Sequence, residues 1–599
     1  MFLGCNYWAS ASGIRMWRNW DRQNVEDDLR RLSAYGISTL RVFPTWDDFQ
    51  PVEALYRYGG IFKEYRMRDG SLPQNEYYLD EEMLAHFAEF CKLCEAYNMK
   101  LIVGLLTGWM SGRLFVPAIL QERNLYTDSR ALLFEQRFIK GFVSRFKNEP
   151  VIYAWDLGNE CNCLSLTENR EDAASWTAII ANTIRAYDST RPVVSGMHSL
   201  GCDNVWTIFD QAEHTDILTT HPYPYFVEHC SMEPFSSIRT LLHATCETRY
   251  YADLSGKPCL VEEIGNLGNM ACDKEMAANF LRVNLFSNWA HGAPGVLWWC
   301  ANEQTNLTYP PYSWMMCERE LGLLDADRRP KPVLREYKQF ADWQAGLGFE
   351  LPPARVDGVC ITSKWQDNWG ISYMSYILAK QAGVNLRFAH YSQQLPDAKV
   401  YLLPSVTSHV VIELERYNEL KERVKNGATL YISMDDGFMT EFEELTGLRI
   451  HDSADRTEPG SMNGLEYTRK RMCWLEPVGA EVLQYDDQGN IAFSKHQYGK
   501  GTVYYLNFPV EKVLLTRNNG FAEPYYKIYN DIFRSKYCKN PNVGITIHEG
   551  DGKTYLVAVN YSGREQSLEG LPFRAEKVHR GDVHTVGAYD CCVLEGAEL

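Results

Sequence analysis

The sequence predicts an α/β chain: a (β/α)8 barrel, then a flavodoxin-like α/β domain, then a small antiparallel β domain. Three observations predict it. Short apolar runs alternate with amphipathic helical patterns until eight strand–helix units are complete. A second alternation begins near Leu347–Pro353, without any Gly-rich phosphate loop. From about Val543 the runs become short and half-polar, with turn residues between them, as in Glu549-Gly-Asp-Gly552. A chain of 599 residues also exceeds one ordinary core. The expected divisions are 1–345, 346–540 and 541–599.

The barrel strands read in order as Phe2–Tyr7, Thr39–Phe43, Lys100–Leu105, Val151–Asp156, Pro192–Gly196, Ile217–Thr220, Pro258–Glu263 and Gly295–Trp299. Between them lie helical patterns at Val25–Tyr35, Asp80–Tyr97, Arg130–Phe146, Glu171–Tyr187 and Lys274–His291. Leu29 and Leu32 mark the apolar face of the first, and Gly36 supplies its stop. A doubly wound open sheet is the competing reading, but no phosphate loop follows any early strand. Residues 44–79 and 106–129 show no periodicity, and 301–320 is rich in aromatics and Pro. Long loops of this kind build sites at the C-terminal ends of barrel strands. In the second domain Gly358–Ile361, Val400–Leu403, Thr429–Ile432 and the run Gly501–Leu506 read as parallel strands, with helices at Tyr373–Ala382 and Glu413–Lys425. The last domain reads as strands Ile545–His548, Tyr555–Tyr561, Val583–Val586 and Cys592–Leu594.

A net charge of −17 argues against nucleic acid and acidic membrane surfaces as partners. It leaves a neutral or cationic substrate. The 17 cysteines form no short framework, so they read as reduced thiols of a cytoplasmic protein. Cys91-Lys-Leu-Cys94 and Cys161-Asn-Cys163 lack a second pair at zinc spacing, so no metal and no cofactor is expected. No signal peptide and no spanning apolar stretch is visible. Aromatic residues make up 13% of the chain, enough to build stacking platforms for sugars.

Two apolar runs end in carboxylates. Val151-Ile-Tyr-Ala-Trp-Asp-Leu-Gly-Asn-Glu160 is one, and Lys257-Pro-Cys-Leu-Val-Glu-Glu-Ile-Gly265 the other. Burying a carboxylate is costly unless it is paired. Two of them at strand ends of one barrel, without a cofactor, suit glycoside hydrolysis. In the second run either Glu262 or Glu263 could act, and strand alternation is expected to turn only one inward.

With these pieces in order, residues 1–340 resemble clan A glycoside hydrolases, most like family 5. Asn159-Glu160 ends strand four, where the family keeps its acid/base. Glu263-Ile-Gly265 ends strand seven, where it keeps its nucleophile, and this pattern selects Glu263 over Glu262. Arg41 ends strand two, His221-Pro-Tyr223 follows strand six, and Trp298-Trp299 ends strand eight. The resemblance implies that Glu160 is a general acid with its pKa raised by the nucleophile, and that Arg41 keeps Glu263 ionised. It implies that Tyr223 bonds the nucleophile or ring oxygen, that Asn159 donates to the sugar 2-hydroxyl, and that Trp298 or Trp299 stacks on the sugar. His221 is a site residue that would serve equally as a core histidine, and His198 reads as structural. Trp8 and Trp109 are further candidates for subsite walls, with Trp46, Trp206 and Trp314.

The middle and last domains resemble the trimerisation and β domains of family 42 β-galactosidases, which implies a homo-oligomer, dimer or trimer. Together these imply a retaining, exo-acting β-mannosidase on short β-1,4-mannosides, either manno-oligosaccharides or mannosyl-N-acetylglucosamine. The alternatives are a β-galactosidase, β-glucosidase or endo-β-mannanase on the same scaffold, and a catalytically inactive carbohydrate-binding protein.

Overall fold

The computed structural model describes residues 1–227, 229–231, 233–515 and 525–599. By their contacts these form two units, one of Met1–Phe226 with Ser255–Phe349 and one of Val227–Leu254 with Glu350–Leu599.

The first unit is the barrel. Its strands are β1 (Phe2–Tyr7), β2 (Thr39–Val42), β3 (Lys100–Gly104), β4 (Ile152–Asp156), β5 (Val193–Val194), β6 (Leu218–Thr220), β7 (Cys259–Ile264) and β8 (Gly295–Trp298). They pair in parallel in the order β6-β7-β8-β1-β2-β3-β4-β5. A parallel bridge between Val194 and Ile217 joins the two ends into a ring. Ile102, Ala154, Val194, Ile217, Leu260 and Leu297 cluster as its apolar filling, as expected of a packed barrel interior. Alternation then carries Asp156, Glu262 and Trp299 to the same inward side, two residues further on.

Local chemistry sets the helix ends. Asp21, Asp80, Asp128 and Asp273 each precede a helix and accept hydrogen bonds from its first free N–H groups, worth about 1 kcal/mol apiece. The helix Arg22–Ala34 stops at Gly36 as the sequence suggests. Gly36 has φ +84°, its N–H reaches Ser33 O, and Ile37 N–H reaches Leu32 O, the paired C-terminal closure that favours glycine.

The second unit holds a seven-stranded sheet. Its parallel strands are β9 (Gly358–Ile361), β10 (Leu386–Ala389), β11 (Val400–Val406), β12 (Thr429–Met434) and, after the antiparallel β13 (Glu481–Tyr485) and β14 (Ile491–Tyr498), β15 (Gly501–Leu506). The order β10-β9-β11-β12-β15 is the 2-1-3-4-5 order of flavodoxin-like sheets. Their ligand crevice lies at the carboxyl ends of the strands. Here Glu511 lies buried at those ends and accepts from Ser405, Ser433, Tyr431 and Tyr529 hydroxyls at 2.6–2.9 Å. A smaller antiparallel sheet follows, of β16 (Val543–Gly550), β17 (Lys553–Asn560), β18 (Phe573–Arg580) and β19 (Cys591–Glu598), in the order β16-β17-β19-β18. No helix among the described residues is long and apolar enough to cross a membrane.

Candidate active site

Arg41, on β2, is the hub of the barrel mouth and is fully buried. Its Nε donates to Asp156 Oδ2 at 2.8 Å, and its Nη1 to Glu263 Oε1 at 2.7 Å and Asn159 Oδ1 at 3.1 Å. Nη2 meets Gly158 O at 3.1 Å and Glu262 Oε2 at 3.3 Å. Burial alone would discharge it, but Glu262, Asp156 and Glu263 outweigh that and hold the guanidinium charged.

Both Glu262 and Glu263 face this cation, which corrects the expectation that only one would. Val261 pairs with Val296 but Ile264 pairs with Trp298, so β7 carries one extra residue across Glu262 and Glu263. A bulge of this kind re-aims a side chain without ending the strand. Alternation from Leu260 brings Glu262 inward, and the bulge brings Glu263 round beside it.

The end of β4 is equally irregular. Gly158 has φ +156° and Glu160 has φ +44°, a left-handed conformation that costs a non-glycine residue of order 1 kcal/mol or more. This turn sends the Glu160 carboxyl back over the barrel. His221 Nδ1 lies 2.8 Å from Glu160 Oε1, and the Trp109 indole donates to Oε2 at 3.1 Å. His221 Nε2 lies 3.2 Å from Glu262 Oε2, and Tyr223 O–H donates to Glu263 Oε2 at 2.9 Å. Glu160, His221 and Glu263 thus offer ligand-type atoms within 4.8 Å of one another.

The charges differ from expectation. Burial pushes the Glu160 carboxyl up, but the positive charge and hydrogen bonding of the histidines and Trp109 outweigh it and hold it at about 2. His198 is itself held below the ordinary imidazole range by burial, so near neutrality the hold on Glu160 comes from His221 and the indole. Burial works against a charge on His221, yet Glu263, Glu160 and Glu262 raise it to about 10. Burial, with Glu160 adding to it, raises Glu263 against the pull of His221 and Arg41. The expected raised Glu160 is therefore not the resting state: the proton resides on His221, one hydrogen bond away.

The remaining expected residues fall in different places. Asn159 accepts from Arg41 and donates to Trp109 O at 3.1 Å, with Met110 Sδ at 3.9 Å. Trp299 stands edge-on to Phe43, whose ring lies under the Arg41 guanidinium. Trp298 is only 2% exposed and donates to Leu321 O. Trp8 is 1% exposed and stacks on Phe43, so neither presents an open face. Residues not anticipated are Asp156, Asn6 and Glu318. Asn6 donates to Glu262 O at 2.9 Å. Asp156 is raised to about 7 by burial and Glu262, against Arg41. Glu318, from the loop after β8, accepts from the Trp299 indole at 3.3 Å, and Met315 of the same loop lies beside Gly112 of the loop after β3. Burial, helped by Glu263 and Glu160, raises it to about 7. Asp156 stood visible at a strand end; nothing in 301–320 singled out Glu318.

The profile of cellulases, glycosyl hydrolase family 5, matches residues 6–305. A mannan endo-1,4-beta-mannosidase A of Podospora anserina is 28% identical over 220 residues, covering 33% of this chain and 56% of the relative. The chain spans about half the length of the curated relatives it matches. The exo-beta-1,4-mannosidase Op5Man5 of Opitutaceae bacterium strain TAV5 superposes with TM-score 0.74 at 21% identity, over 89% of this chain and 96% of that one. A Streptomyces cattleya GH5_18 protein in complex with Manb1-4GlcNAc gives TM-score 0.56 at 19% identity, over 65% of this chain and 94% of that one. The beta-galactosidase of Halorubrum lacusprofundi gives 0.71 at 13%, over 100% and 99%.

Proposed function

This chain belongs to the cellulase family, glycosyl hydrolase family 5, and on that premise we propose that it is a retaining, exo-acting β-mannosidase on short β-1,4-mannosides. The observation that carries the reading is the carboxyl pair: Glu160 and Glu263 bring oxygens within 4.8 Å of each other across His221. Retaining enzymes hold their carboxyls about 5–5.5 Å apart, whereas inverting ones leave roughly 6.5–9.5 Å for a water.

Glu263, fixed by Arg41 and Tyr223, attacks the anomeric carbon. His221 Nδ1 passes its proton to Glu160 through the 2.8 Å contact, and Glu160 gives it to the leaving oxygen. Glu160 then draws a proton from the water that releases the sugar. Four carboxyls against two cations leave the site net negative, which favours the oxocarbenium-like transition state over the neutral sugar. Trp299 floors the sugar. The second amide hydrogen of Asn159 reaches the 2-hydroxyl by giving up its Met110 contact.

Exo action is supported by the meeting of the loops after β3 and β8, where Met315 lies beside Gly112. A contact across the cleft leaves room for a chain end rather than a polymer. The mannoside preference rests on the named activities of the relatives, and mannosyl-N-acetylglucosamine on the ligand of the GH5_18 structure. No disulfide joins any of the 17 cysteines, which supports a reducing, cytoplasmic setting. Homo-oligomerisation through the flavodoxin-like domain rests on the family 42 resemblance. Rates on aryl β-mannoside, β-galactoside and β-glucoside test the epimer, and proton NMR of the first-formed anomer tests retention. A galactoside rate above the mannoside rate, or an α-anomer appearing first, refutes the respective part.

A further inference from the structure

We propose that the turn after β4 and the loop after β5 form an inhibitory site for a zinc-class divalent cation, with Glu160, Cys163 and His198 as its ligands. These three residues bring an oxygen, a sulfur and a nitrogen within 4.8 Å of one another. The turn is closed by Cys163 N–H donating to Glu160 O at 2.7 Å, which brings the carboxyl and the thiol close together. Asn162 Nδ2 donates to His198 O at 2.8 Å and pins the loop after β5 against this turn.

The histidine is already oriented as a ligand. Its Nδ1 lies 3.0 Å from Ser199 Oγ and its Nε2 lies 3.3 Å from Cys163 Sγ. With Nδ1–H donating to the serine, the Nε2 lone pair faces the thiol, and a hydrogen bond of this kind is what fixes metal-binding histidines. A tetrahedral zinc, with bonds of about 2.3 Å to sulfur and 2.0–2.1 Å to nitrogen, sets those two atoms about 3.5 Å apart. The observed 3.3 Å needs little movement. On binding, the thiol proton leaves to solvent and the metal takes its place between sulfur and nitrogen. A carboxylate has about four acceptor positions; His221 and Trp109 occupy two on Glu160, so the cation adds a contact without displacing either. The Glu160 side chain remains 20% exposed and Cys163 is not fully buried, so the site opens to the cleft. Water takes the fourth position.

The neighbouring group of Glu160, His221 and Glu263 is a poorer host, because both His221 nitrogens already face carboxylates. A cation on Glu160 offsets its charge and weakens its hold on the leaving-group proton, so the expected consequence is loss of turnover.

The test needs a readout independent of turnover. Adding Co²⁺ alone to the full-length protein should produce a near-ultraviolet thiolate-to-cobalt absorption band, and Zn²⁺ should slow alkylation of Cys163, mapped by peptide mass spectrometry. Cys163→Ser should abolish the band. His198→Asn and Cys163→Ser should each raise the zinc concentration for half-inhibition by at least about tenfold. A wild-type protein with no cobalt band and no protection of Cys163 overturns the proposal, as does zinc inhibition unchanged in Cys163→Ser. Binding seen in a protein that hydrolyses no mannoside would leave this site standing and refute the proposed substrate instead.

Discussion

Replacing His221 by Asn tests the proton arrangement at its centre. In the wild type the imidazolium stands between Glu160 and Glu262, with Glu263 3.5 Å away. The rise of His221 from 6.5 to about 10 corresponds to roughly 5 kcal/mol of net attraction for its charge. One proton is shared by Glu160 and His221, and losing it from the pair ends general acid catalysis. The alkaline limb of kcat/KM should therefore lie near the His221 value, about 10. With Asn at 221 the proton has only Glu160, which burial and the charge on Glu263 push up from about 2. Buried catalytic glutamic acids reach roughly 6–7, so the alkaline limb should fall by about three pH units. At pH 9 the variant should lose on the order of 100-fold in relative rate. The assay is kcat/KM against pH on an aryl β-mannoside with a poor leaving group. A dinitrophenyl mannoside, which needs no protonation, should show little of the shift. Equal alkaline limbs in the two proteins would refute the shared proton. The sign for stability is separate. A group raised in the fold stabilises fully below its unfolded value, so the contribution of His221 is present below about pH 6.5 and fades as pH rises towards 10. The melting-temperature gap between wild type and variant should narrow over that range.

Glu160→Ala should slow aryl mannosides with poor leaving groups by about 10²–10⁴ and spare dinitrophenyl mannoside at the first step; equal losses on both would remove its role. Glu263→Ala should abolish turnover, with azide restoring it as an α-glycosyl azide, whereas Glu262→Gln should keep measurable hydrolysis; the reverse pattern would exchange their roles. Arg41→Met should destabilise the barrel by about 3–5 kcal/mol, because it strands buried carboxylates, and should raise the pH needed for activity; an unchanged melting temperature would contradict the hub. Met315→Ala should loosen the contact between the loops after β3 and β8, where Met315 lies beside Gly112, and raise the rate on manno-oligosaccharides relative to mannobiose, read by product chromatography. An unchanged ratio would separate Met315 from chain-end selection.

The strands were legible because parallel barrel strands are buried on both faces and read as unbroken apolar runs. That is why β1, β4 and β7 stand within a residue of their sequence-based limits. β5 shrinks from the expected Pro192–Gly196 to Val193–Val194, because Gly196 turns to φ +59° against Asp156. The helix Ile238–Ser255 escaped notice because 14 of its 18 residues are buried, so no polar face marks its period. The site was half legible for a related reason. Arg41, Glu160, His221, Tyr223 and Glu263 sit at strand ends, where position alone suggests a role. The bulge that turns Glu262 and Glu263 inward together breaks the alternation used to read strands. Local rules tend to fail where function overrides them. Yet the charges held a clue. Two adjacent inward carboxylates, with Asp156 and Glu160 beside them, cannot be buried on one barrel without cations, and the basic side chains following neighbouring strands are Arg41, His198 and His221, of which burial keeps His198 below the ordinary imidazole range. Without the proton of His221, Arg41 alone would offset Asp156, Glu262 and Glu263, and Glu160 would lose its charged partner, which marks His221 as a candidate site residue rather than a satisfied core histidine.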